Sequence, residues 1–291
     1  MNAPPAPVTG TAEHAHPNHD TFRVATFNIA TSDLTPERMN LVAKDLASVD
    51  VALLQETCPM GDTHTAGYLA DRLGLTWATA DLLPLAEQQC AVLVNPTFPV
   101  VSNGVIEIAG ERQDAVYADV TINDNVIRFY AAHLPWGGDY VRGRLTALKA
   151  IVEHVSRGLA SDTPPAGVVL GMDANSLQDS DEIRWLTGKA YIPDFPATYW
   201  NDVVDVLGAS APTSVLAGNP LSAAPARAVG INDPNLLPSR RIDYIMVHGW
   251  PWGKILSPLR AQTGTHTHAF SSDHLPVFAD LWTGHTRSNM L

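Results

Sequence analysis

Acidic, amide and imidazole side chains recur at one kind of position along the chain, at or just beyond the end of a short apolar run. These residues are Asn28, Glu56, His133, Asp173, Asn175, Asp243, Asp273 and His274. If the apolar runs are strands that end at one edge, the side chains meet in a single cluster. Carboxylate and amide oxygens are ligands that Mg²⁺ prefers, and protein-bound Mg²⁺ keeps waters and binds substrate phosphate. Such an ion neutralises phosphoryl charge and lowers the pKa of a water, so the cluster predicts phosphoester chemistry.

Taken singly, most of these residues also have a purely structural explanation. Asn28 at a strand end is typical of a turn, Glu56 of a solvated strand terminus, and His133 of a hydrogen-bonded core histidine. Residues 173–175 fit a strand-to-helix turn with capping roles. Asp243 is harder to explain in this way, because its apolar neighbours predict burial and a buried carboxylate needs a partner.

The elements that must position these residues are mostly strands. Mostly apolar segments of strand length that predict strands stand at 22–28, 51–55, 90–94, 115–122, 126–133, 167–171, 242–247 and 277–281. Residues 123–125, Asn-Asp-Asn, predict the turn of a hairpin between two of them. Helical periodicity follows Thr35-Pro36, recurs near 66–73, and is clear from Val141 to Leu159. This mixture predicts mixed sheets with helices packed outside them.

The pattern divides the chain into three parts. Residues 1–20 are rich in Pro, Ala, Thr and His without apolar periodicity, which predicts a disordered N-terminal arm. Residues 21–283 form one predicted domain, because no linker interrupts them, and 284–291 form a C-terminal tail. Within the domain, residues 176–240 are rich in Pro, Ala, Gly and Ser and carry only short periodic pieces. We expect loops there that help to determine substrate specificity.

Composition excludes several classes of protein. The 291 residues are 45% hydrophobic, which suits a compact globular chain, and no apolar run reaches the roughly 18 residues of a membrane helix. The first residues do not resemble a secretory signal, so a cytoplasmic location without membrane insertion is expected. Cys58 and Cys90 predict neither a disulfide framework nor a cysteine metal site. The net charge of −12 argues against binding nucleic acid by charge alone, although a small positive cleft or bound cations still allow a nuclease.

The same polar residues stand in strings that resemble a known family. In order along the chain they are Thr26-Phe-Asn28-Ile, Leu54-Gln-Glu56-Thr, His133-Leu-Pro, Gly171-Met-Asp173-Ala-Asn175-Ser, Arg241-Ile-Asp243-Tyr-Ile and Ser272-Asp273-His274-Leu-Pro-Val. Together they resemble the endonuclease/exonuclease/phosphatase superfamily, which includes deoxyribonuclease I-like nucleases, abasic-site endonucleases, sphingomyelinases and inositol-phosphate phosphatases. The resemblance implies a four-layer α/β sandwich, with two mixed sheets face to face and helices on both outer sides.

The resemblance also implies a metal site and a base. Glu56 is implied to be the main Mg²⁺ ligand, helped by Asn28 and Asp273, with Mn²⁺ in the same pocket as the alternative ion. Asp173 is implied to orient and deprotonate the attacking water. Asn175 is implied to hold that water or a phosphate oxygen by hydrogen bonds.

The remaining implied roles concern the phosphate. His274 is implied to bind a phosphate oxygen and stabilise the developing charge. Asp243 then accepts a hydrogen bond from His274, which fixes the tautomer of the imidazole and favours its charged form. His133 is implied to contact the phosphate from the other side or to help the leaving oxygen.

Three further positions are open to more than one interpretation. Arg112 matches a phosphate-contacting arginine of some family members, although a surface arginine fits its sequence context equally well. Trp136 follows His133 closely and would either stack on a substrate ring or support its loop. Some nucleases of the family pair the first histidine with a carboxylate. Here the region 86–90 leaves open whether Glu87 or a glutamine takes that position.

The substrate is predicted only as a class. We expect a phosphatase or phosphodiesterase acting on a small or medium phosphoester. A DNA or RNA endo- or exonuclease of the same family is the alternative, and a non-catalytic binding protein on this scaffold is a remote one. Lys and Arg total 18 against 30 acidic residues, and the densest basic site is Arg240-Arg241, which suits one or two phosphates. Nucleic acid is therefore a less favoured partner.

Overall fold

The computed structural model describes residues 20–32, 34–108, 115–137, 141–208, 213–228, 230–249, 256–264 and 270–284. The predicted N-terminal arm lies outside these residues except for Asp20, and the predicted C-terminal tail lies outside them except for Gly284. Arg112 also lies outside them. The bounds of the single domain therefore stay a prediction.

Strands form most of the scaffold around the polar cluster. Within the described residues they are β1 (Thr21–Asn28), β2 (Val51–Gln55), β3 (Pro59–Met60), β4 (Thr63–His64), β5 (Thr76–Trp77), β6 (Cys90–Val94), β7 (Val100–Ile106), β8 (Ala115–Ile122), β9 (Asn125–His133), β10 (Gly167–Asp173), β11 (Trp200–Asp202), β12 (Asp243–His248), β13 (Leu256–Thr263) and β14 (Val277–Thr283). Each strand predicted from an apolar run is among them. Asp243 is the first residue of β12.

The longer strands form two mixed six-stranded sheets. The first has the order β13-β14-β1-β2-β6-β5, and the second has the order β11-β12-β10-β9-β8-β7. In each sheet the central pair is parallel, β1 with β2 and β9 with β10, while the other neighbours are antiparallel. Strands β3 and β4 form a separate short hairpin. Because parallel neighbours run in the same direction, β1, β2, β9 and β10 bring their C-terminal residues to common sheet edges.

Helices cover the outer faces of both sheets. In the described residues they are α1 (Pro36–Asp45), α2 (Thr65–Leu73), α3 (Val141–Leu159), α4 (Asp181–Leu186), α5 (Val203–Val206) and α6 (Ala223–Ala228). Helix α1 begins as predicted, because the Thr35 hydroxyl accepts a hydrogen bond from the Arg38 amide and Pro36 follows the cap. None of the described helices combines the length and apolar composition needed to cross a membrane.

Three buried clusters separate the four layers. Phe22 and Phe129 meet edge to face between the two sheets, with ring centroids 5.8 Å apart. Leu148 of α3 belongs to the cluster beneath the second sheet. Met39 of α1 and Leu69 of α2 belong to the cluster that covers the first sheet. This layering confirms the predicted α/β sandwich with helices on both outer sides.

The two sheets approach each other closely just below the polar cluster. Gly171 on β10 permits this approach, because a Cβ atom there would lie 2.6 Å from Leu53 Cδ1 and 2.9 Å from Thr26 Cβ. Leu53 and Thr26 belong to the first sheet, so a side chain at position 171 would push the sheets apart. The spacing lets side chains at the ends of β1 and β10 touch across the sandwich.

Candidate active site

Asn28, the last residue of β1, joins the two sheets at the predicted site. Its amide nitrogen donates to Glu56 Oε1 at 3.0 Å and to Asp173 Oδ2 at 2.9 Å. Its oxygen accepts the Ala30 amide at 3.0 Å. Glu56 follows β2 of the first sheet, whereas Asp173 ends β10 of the second. One buried amide therefore fixes two carboxylates from different sheets relative to each other.

The backbone around these residues takes an unfavourable conformation. Glu56, Ala30 and Asn175 have φ values of 57°, 56° and 48°, in the left-handed region that non-glycine residues rarely occupy. Such positions cost on the order of 1–3 kcal/mol each and cluster at functional sites. At Glu56 the turn lets the carboxylate accept the Thr31 amide at 2.9 Å and the Thr31 hydroxyl at 3.2 Å. Thr31 is a site residue that the sequence did not single out.

His274 and Asp243 form a buried hydrogen-bonded pair. His274 Nδ1 lies 2.8 Å from Asp243 Oδ2, and the Nε2 atom lies 3.7 Å from Asp173 Oδ2. Burial disfavours the charged imidazole, but the negative charges of Asp243 and Asp173 outweigh it and hold the pKa of His274 well above its ordinary value. The ring therefore carries its Nδ1 proton toward Asp243 and presents Nε2 to the cavity side occupied by Asp173.

Ser214 supports this pair from behind and was missed by the sequence analysis. Its hydroxyl accepts the Ile242 amide at 3.0 Å and the Asp243 amide at 3.1 Å, and the residue is fully buried. The adjacent Val215 forms β-bridges with Arg240 and His274. No local sequence pattern marks Ser214, because it lies in a Pro- and Ala-rich stretch without periodicity and is far in sequence from its hydrogen-bond partners.

His133 and Asn175 occupy the other side of Asp173. Asn175 donates to His133 Nε2 at 3.2 Å and to the Leu134 carbonyl at 2.9 Å, while His133 Nε2 lies 3.5 Å from Asp173 Oδ2. The backbone N–H of Asn175 also donates to Asp173 Oδ1 at 2.9 Å. The structure therefore brings His133, Asp173 and Asn175 together.

The structure answers the open question about region 86–90. Glu87 is exposed, while Gln88 is buried and donates to the Ala80 and Leu83 carbonyls at 2.6 Å each. His133 Nδ1 is buried and makes no hydrogen bond within the described part of the chain. The Nδ1 atom of this first histidine therefore has no carboxylate partner among the described residues, while its Nε2 atom lies near the Asp173 carboxylate.

Asp273 and Glu56 bring two acids to the same cavity. Burial raises the pKa of Asp273, and the Glu56 charge raises it further against the opposing effect of His274. Neither acid forms an ion pair with Lys or Arg in the described residues, and Asp273 accepts one weak hydrogen bond, from Ser272 Oγ at 3.3 Å. Two neighbouring carboxylates without a Lys or Arg partner in the described residues form a suitable environment for a divalent ion.

A second group also has the spacing for a metal ion. Ligand atoms of Asp173, Asp243 and His274 all lie within 4.8 Å of one another, and the three residues are buried. This set differs from the predicted ligands Asn28, Glu56 and Asp273. The site therefore offers two ways to hold a divalent cation with the residues present.

The cavity above these groups has a volume of about 370 Å³. The cavity is lined by the acidic residues described above and by an apolar wall, which consists of Trp136, Val215, Leu237 and Ile242. Arg240 is the basic residue of this lining, and its guanidinium makes no hydrogen bond or ion pair within the described chain. A larger cavity of about 420 Å³ lies at the opposite strand ends, beside Gly167 and Val247, and none of the described residues that line it carries a carboxylate.

Arg241, next to Arg240, has a different environment. It forms a buried bidentate ion pair with Asp202, at 2.6 and 3.0 Å, and its guanidinium lies over the Tyr244 ring at 4.6 Å from the centroid. Only Arg240 of the predicted basic pair therefore lines the cavity. Trp136 also lines it, and its side chain is about half exposed.

Comparison with known proteins identifies one family and several solved structures of similar fold. A model of the Endonuclease/Exonuclease/phosphatase family matches residues 25–274. No curated protein matches the chain. Among solved structures, D. rerio TDP2 complexed with single strand DNA product is 16% identical with a TM-score of 0.69, over 90% of this chain and 99% of that one.

Two other solved structures have similar folds. The human Nocturnin catalytic domain with bound sulfate anion is 18% identical with a TM-score of 0.65, over 91% of this chain and 94% of that one. An endonuclease/exonuclease/phosphatase from Bacteroides vulgatus is 16% identical with a TM-score of 0.66, over 91% of this chain and 99% of that one. At these identities the structural similarity concerns the fold.

Proposed function

The chain belongs to the endonuclease/exonuclease/phosphatase family and is a metal-dependent phosphoric ester hydrolase, and we propose that its substrate is a small or medium phosphoester. The proposed reaction is an in-line attack of water on the phosphate, assisted by Mg²⁺. The observation that carries this proposal is the joined array in which Asn28 holds Glu56 and Asp173 together while Asp243 orients His274. Water activation, metal binding and phosphate binding thereby meet in one cavity.

We assign the metal to Glu56 and Asp273, with the Asn28 oxygen as a third ligand. These are hard oxygen donors, and the two acids form no ion pair with Lys or Arg in the described residues. Asn28 Nδ2 faces Glu56 and Asp173 while Oδ1 faces the Ala30 amide, so ligation by Asn28 requires its side-chain amide to turn over. When bound, Mg²⁺ neutralises charge on the phosphoryl oxygens and lowers the pKa of a water. Mn²⁺, with similar preference for oxygen ligands, is the alternative ion.

The alternative set of Asp173, Asp243 and His274 fits Mg²⁺ less well. Asp243 is fully buried, and its Oδ2 atom is engaged with His274 Nδ1 at 2.8 Å. Mg²⁺ dehydrates reluctantly and usually keeps several waters, which a closed site of this kind does not accommodate. We therefore assign these three residues to proton transfer and phosphate binding.

Asp173 is proposed to act as the base for the attacking water. Its carboxylate is oriented by the Asn28 side chain at 2.9 Å and the Asn175 amide at 2.9 Å. His274, positively charged beside Asp243, binds a phosphate oxygen and stabilises the charge that develops on it. His133 Nδ1 lacks a hydrogen-bond partner in the described residues, and we assign this ring to hydrogen bonding with the phosphate.

The basic residues near the cavity favour a substrate with few phosphates. The Arg240 guanidinium pairs with no acid among the described residues, whereas Arg241 is neutralised by Asp202. Binding along a duplex requires a row of cationic phosphate contacts, which the described lining does not provide. The apolar wall instead suits an uncharged part of the substrate next to a single phosphate, with Trp136 positioned for a planar group.

A nuclease is the second candidate function. It is favoured by the similarity to D. rerio TDP2, which was solved with single strand DNA product. A single-stranded end would place one phosphate in the cavity and one base against the apolar wall. This needs fewer cations than a duplex does, so the nuclease alternative is strongest for single strands.

One pair of assays separates the two functions. Purified protein with Mg²⁺ is incubated with plasmid DNA, single-stranded oligonucleotides and small phosphoesters, alongside the Asp273→Ala variant. The proposal predicts fast hydrolysis of a small phosphoester, slow plasmid nicking, and loss of both in Asp273→Ala. Rapid nicking or oligonucleotide cleavage at enzyme concentrations far below the DNA, abolished by Asp273→Ala, would overturn it in favour of the nuclease.

A further inference from the structure

Arg38 ties together the two loops that carry the proposed metal ligands. It lies in the first turns of α1 and is only 6% exposed. Its Nη1 atom donates to the Ile29 carbonyl and to the Ser271 carbonyl, both at 2.6 Å, and Nη2 donates to the Ala30 carbonyl at 2.6 Å. The Ile29 and Ser271 carbonyls are 242 residues apart in sequence order but share one nitrogen, so the guanidinium is a direct link between distant segments.

These loops are adjacent to the metal ligands on both sides. Ile29 and Ala30 follow Asn28 directly, and the Ala30 amide binds Asn28 Oδ1 at 3.0 Å. On the other side, Ser271 is two residues before Asp273. A shift of either carbonyl therefore moves a proposed ligand.

Other contacts reinforce the same junction. The Ser272 hydroxyl donates to the Asn28 carbonyl at 2.7 Å and accepts the His274 amide at 3.1 Å. The Ser271 hydroxyl donates to Asp45 Oδ2 at 2.5 Å, so α1 anchors this loop through its last residue as well. The junction is thus built from α1, the end of β1 and the loop before β14.

The chemistry of the guanidinium explains why arginine stands here. Its planar fork donates several hydrogen bonds in fixed directions, whereas a lysine ammonium is a compact charge on a flexible stem. Charge-assisted hydrogen bonds are roughly twice as strong as neutral ones, and burial at this junction limits competition from water. The cost of the left-handed backbone at Ala30, with φ 56°, is offset by such contacts.

We propose that Arg38 is a positioning residue for the metal site, which sets metal affinity by fixing the separation between Asn28 and Asp273. This inference rests on the proposed assignment of the metal to Asn28, Glu56 and Asp273. Arg38 acts through the loop backbone and does not contact the substrate phosphate. Its loss therefore weakens metal binding more than it slows the chemical step at saturating metal.

The test measures Mn²⁺ binding to substrate-free protein by the electron paramagnetic resonance signal of the free ion. Outer groups that orient metal ligands typically change metal affinity by about 10–100-fold, and we expect a rise of that size in Kd for Arg38→Met and a smaller one for Arg38→Lys. At saturating Mg²⁺, kcat should stay within about threefold of wild type, since the reacting groups are retained.

Arg144→Met is the matched control. Arg144 is another buried arginine, 6% exposed, which donates to the Pro135 and Gly137 carbonyls and pairs with Glu182 at 2.6 Å. It supports a loop on the opposite side of the cavity, so its loss should lower thermal stability without changing the Kd for Mn²⁺. Equal rises in Kd for Arg38→Met and Arg144→Met would show general loosening and overturn the proposal.

The remaining outcomes separate this inference from the metal assignment. Folded Arg38→Lys and Arg38→Met proteins with wild-type Kd would overturn the positioning role alone. If Arg38→Met fails to fold, Arg38→Lys decides by the same measurement. Wild-type Mn²⁺ affinity in Glu56→Gln would instead remove the proposed metal site on which the inference rests.

Discussion

Replacing Asp243 with Asn is expected to reduce turnover far more than substrate binding. The substitution keeps the shape of the side chain but removes the negative charge that lies 2.8 Å from His274 Nδ1 in a fully buried position. Two unit charges about 4 Å apart attract by about 4 kcal/mol at an effective dielectric constant of about 20. Only the part of the Asp243–His274 attraction that is stronger in the transition state than in the bound substrate complex affects the rate. If about half or more of the attraction is of this kind, kcat should fall by about 10²–10³-fold.

The assay for this prediction measures kcat and KM with a p-nitrophenyl phosphodiester at saturating Mg²⁺ and fixed pH. Asp202→Asn is the control, because Asp202 is also a buried carboxylate paired with a cation but lies outside the cavity. The control should lose stability without a selective loss of kcat. If folded Asp243→Asn protein keeps kcat within threefold of wild type, the charge of Asp243 has no part in turnover.

Three further predictions follow from other contacts. Gly171→Ala should lower the free energy of unfolding by about 1–3 kcal/mol in chemical denaturation, since its Cβ would collide with the first sheet; unchanged stability would contradict the close sheet contact. Arg241→Met should lower the free energy of unfolding by about 3–5 kcal/mol, because the buried Asp202 carboxylate would lose its partner. Arg240→Met should instead raise KM without changing the melting temperature, because Arg240 lines the cavity. The reverse pattern would contradict these two assignments. Burial lowers the pKa of His64 in the folded protein below the ordinary value of about 6.5 that it has in the unfolded chain. Below about pH 6.5 the unfolded chain therefore binds more protons than the folded protein, and the free energy of unfolding falls as the pH drops. His64→Asn, which keeps the helix cap on Ala66, should flatten that dependence, and an unchanged slope would exclude His64 as its source.

The central strands and their polar ends could be predicted because both signals are local. Residues 51–54 are all apolar and Gln55 follows them, and the structure buries all five residues on both faces of β2. The amphipathic period from Val141 to Leu159 likewise predicted α3 with its bounds. In each case burial of apolar side chains fixes the element, so the polar residue that ends the run has a defined position.

Edge strands were missed for the opposite reason. Strand β7 exposes most of its residues and contains Asn103 and Gly104, so no apolar alternation marks it. Strand β13 contains Pro258 and an irregular register between Pro258 and Arg260, features that suit only a sheet edge. Their pairing is determined by the neighbouring strands rather than by their own sequences.

The cavity wall from 213 to 240 was also beyond prediction. Asn219 donates to the Ser272 carbonyl at 2.9 Å, and the Ser214 carbonyl accepts the Leu275 amide at 2.7 Å. These long-range hydrogen bonds hold an irregular segment against the site without any periodic apolar pattern. The different environments of Arg240 and Arg241 likewise depend on Asp202, which lies in a distant part of the sequence.

Metal dependence through Glu56 is the most direct test of the proposed mechanism. The rate of phosphodiester hydrolysis is measured for wild type with Mg²⁺, for wild type with EDTA, and for Glu56→Gln with Mg²⁺, with circular dichroism to verify the fold. The expected result is a loss of at least about a hundredfold in both EDTA and the folded Glu56→Gln protein, because the charge on the phosphate is then no longer neutralised. Full activity in EDTA, or in folded Glu56→Gln, would contradict a metal mechanism centred on this carboxylate.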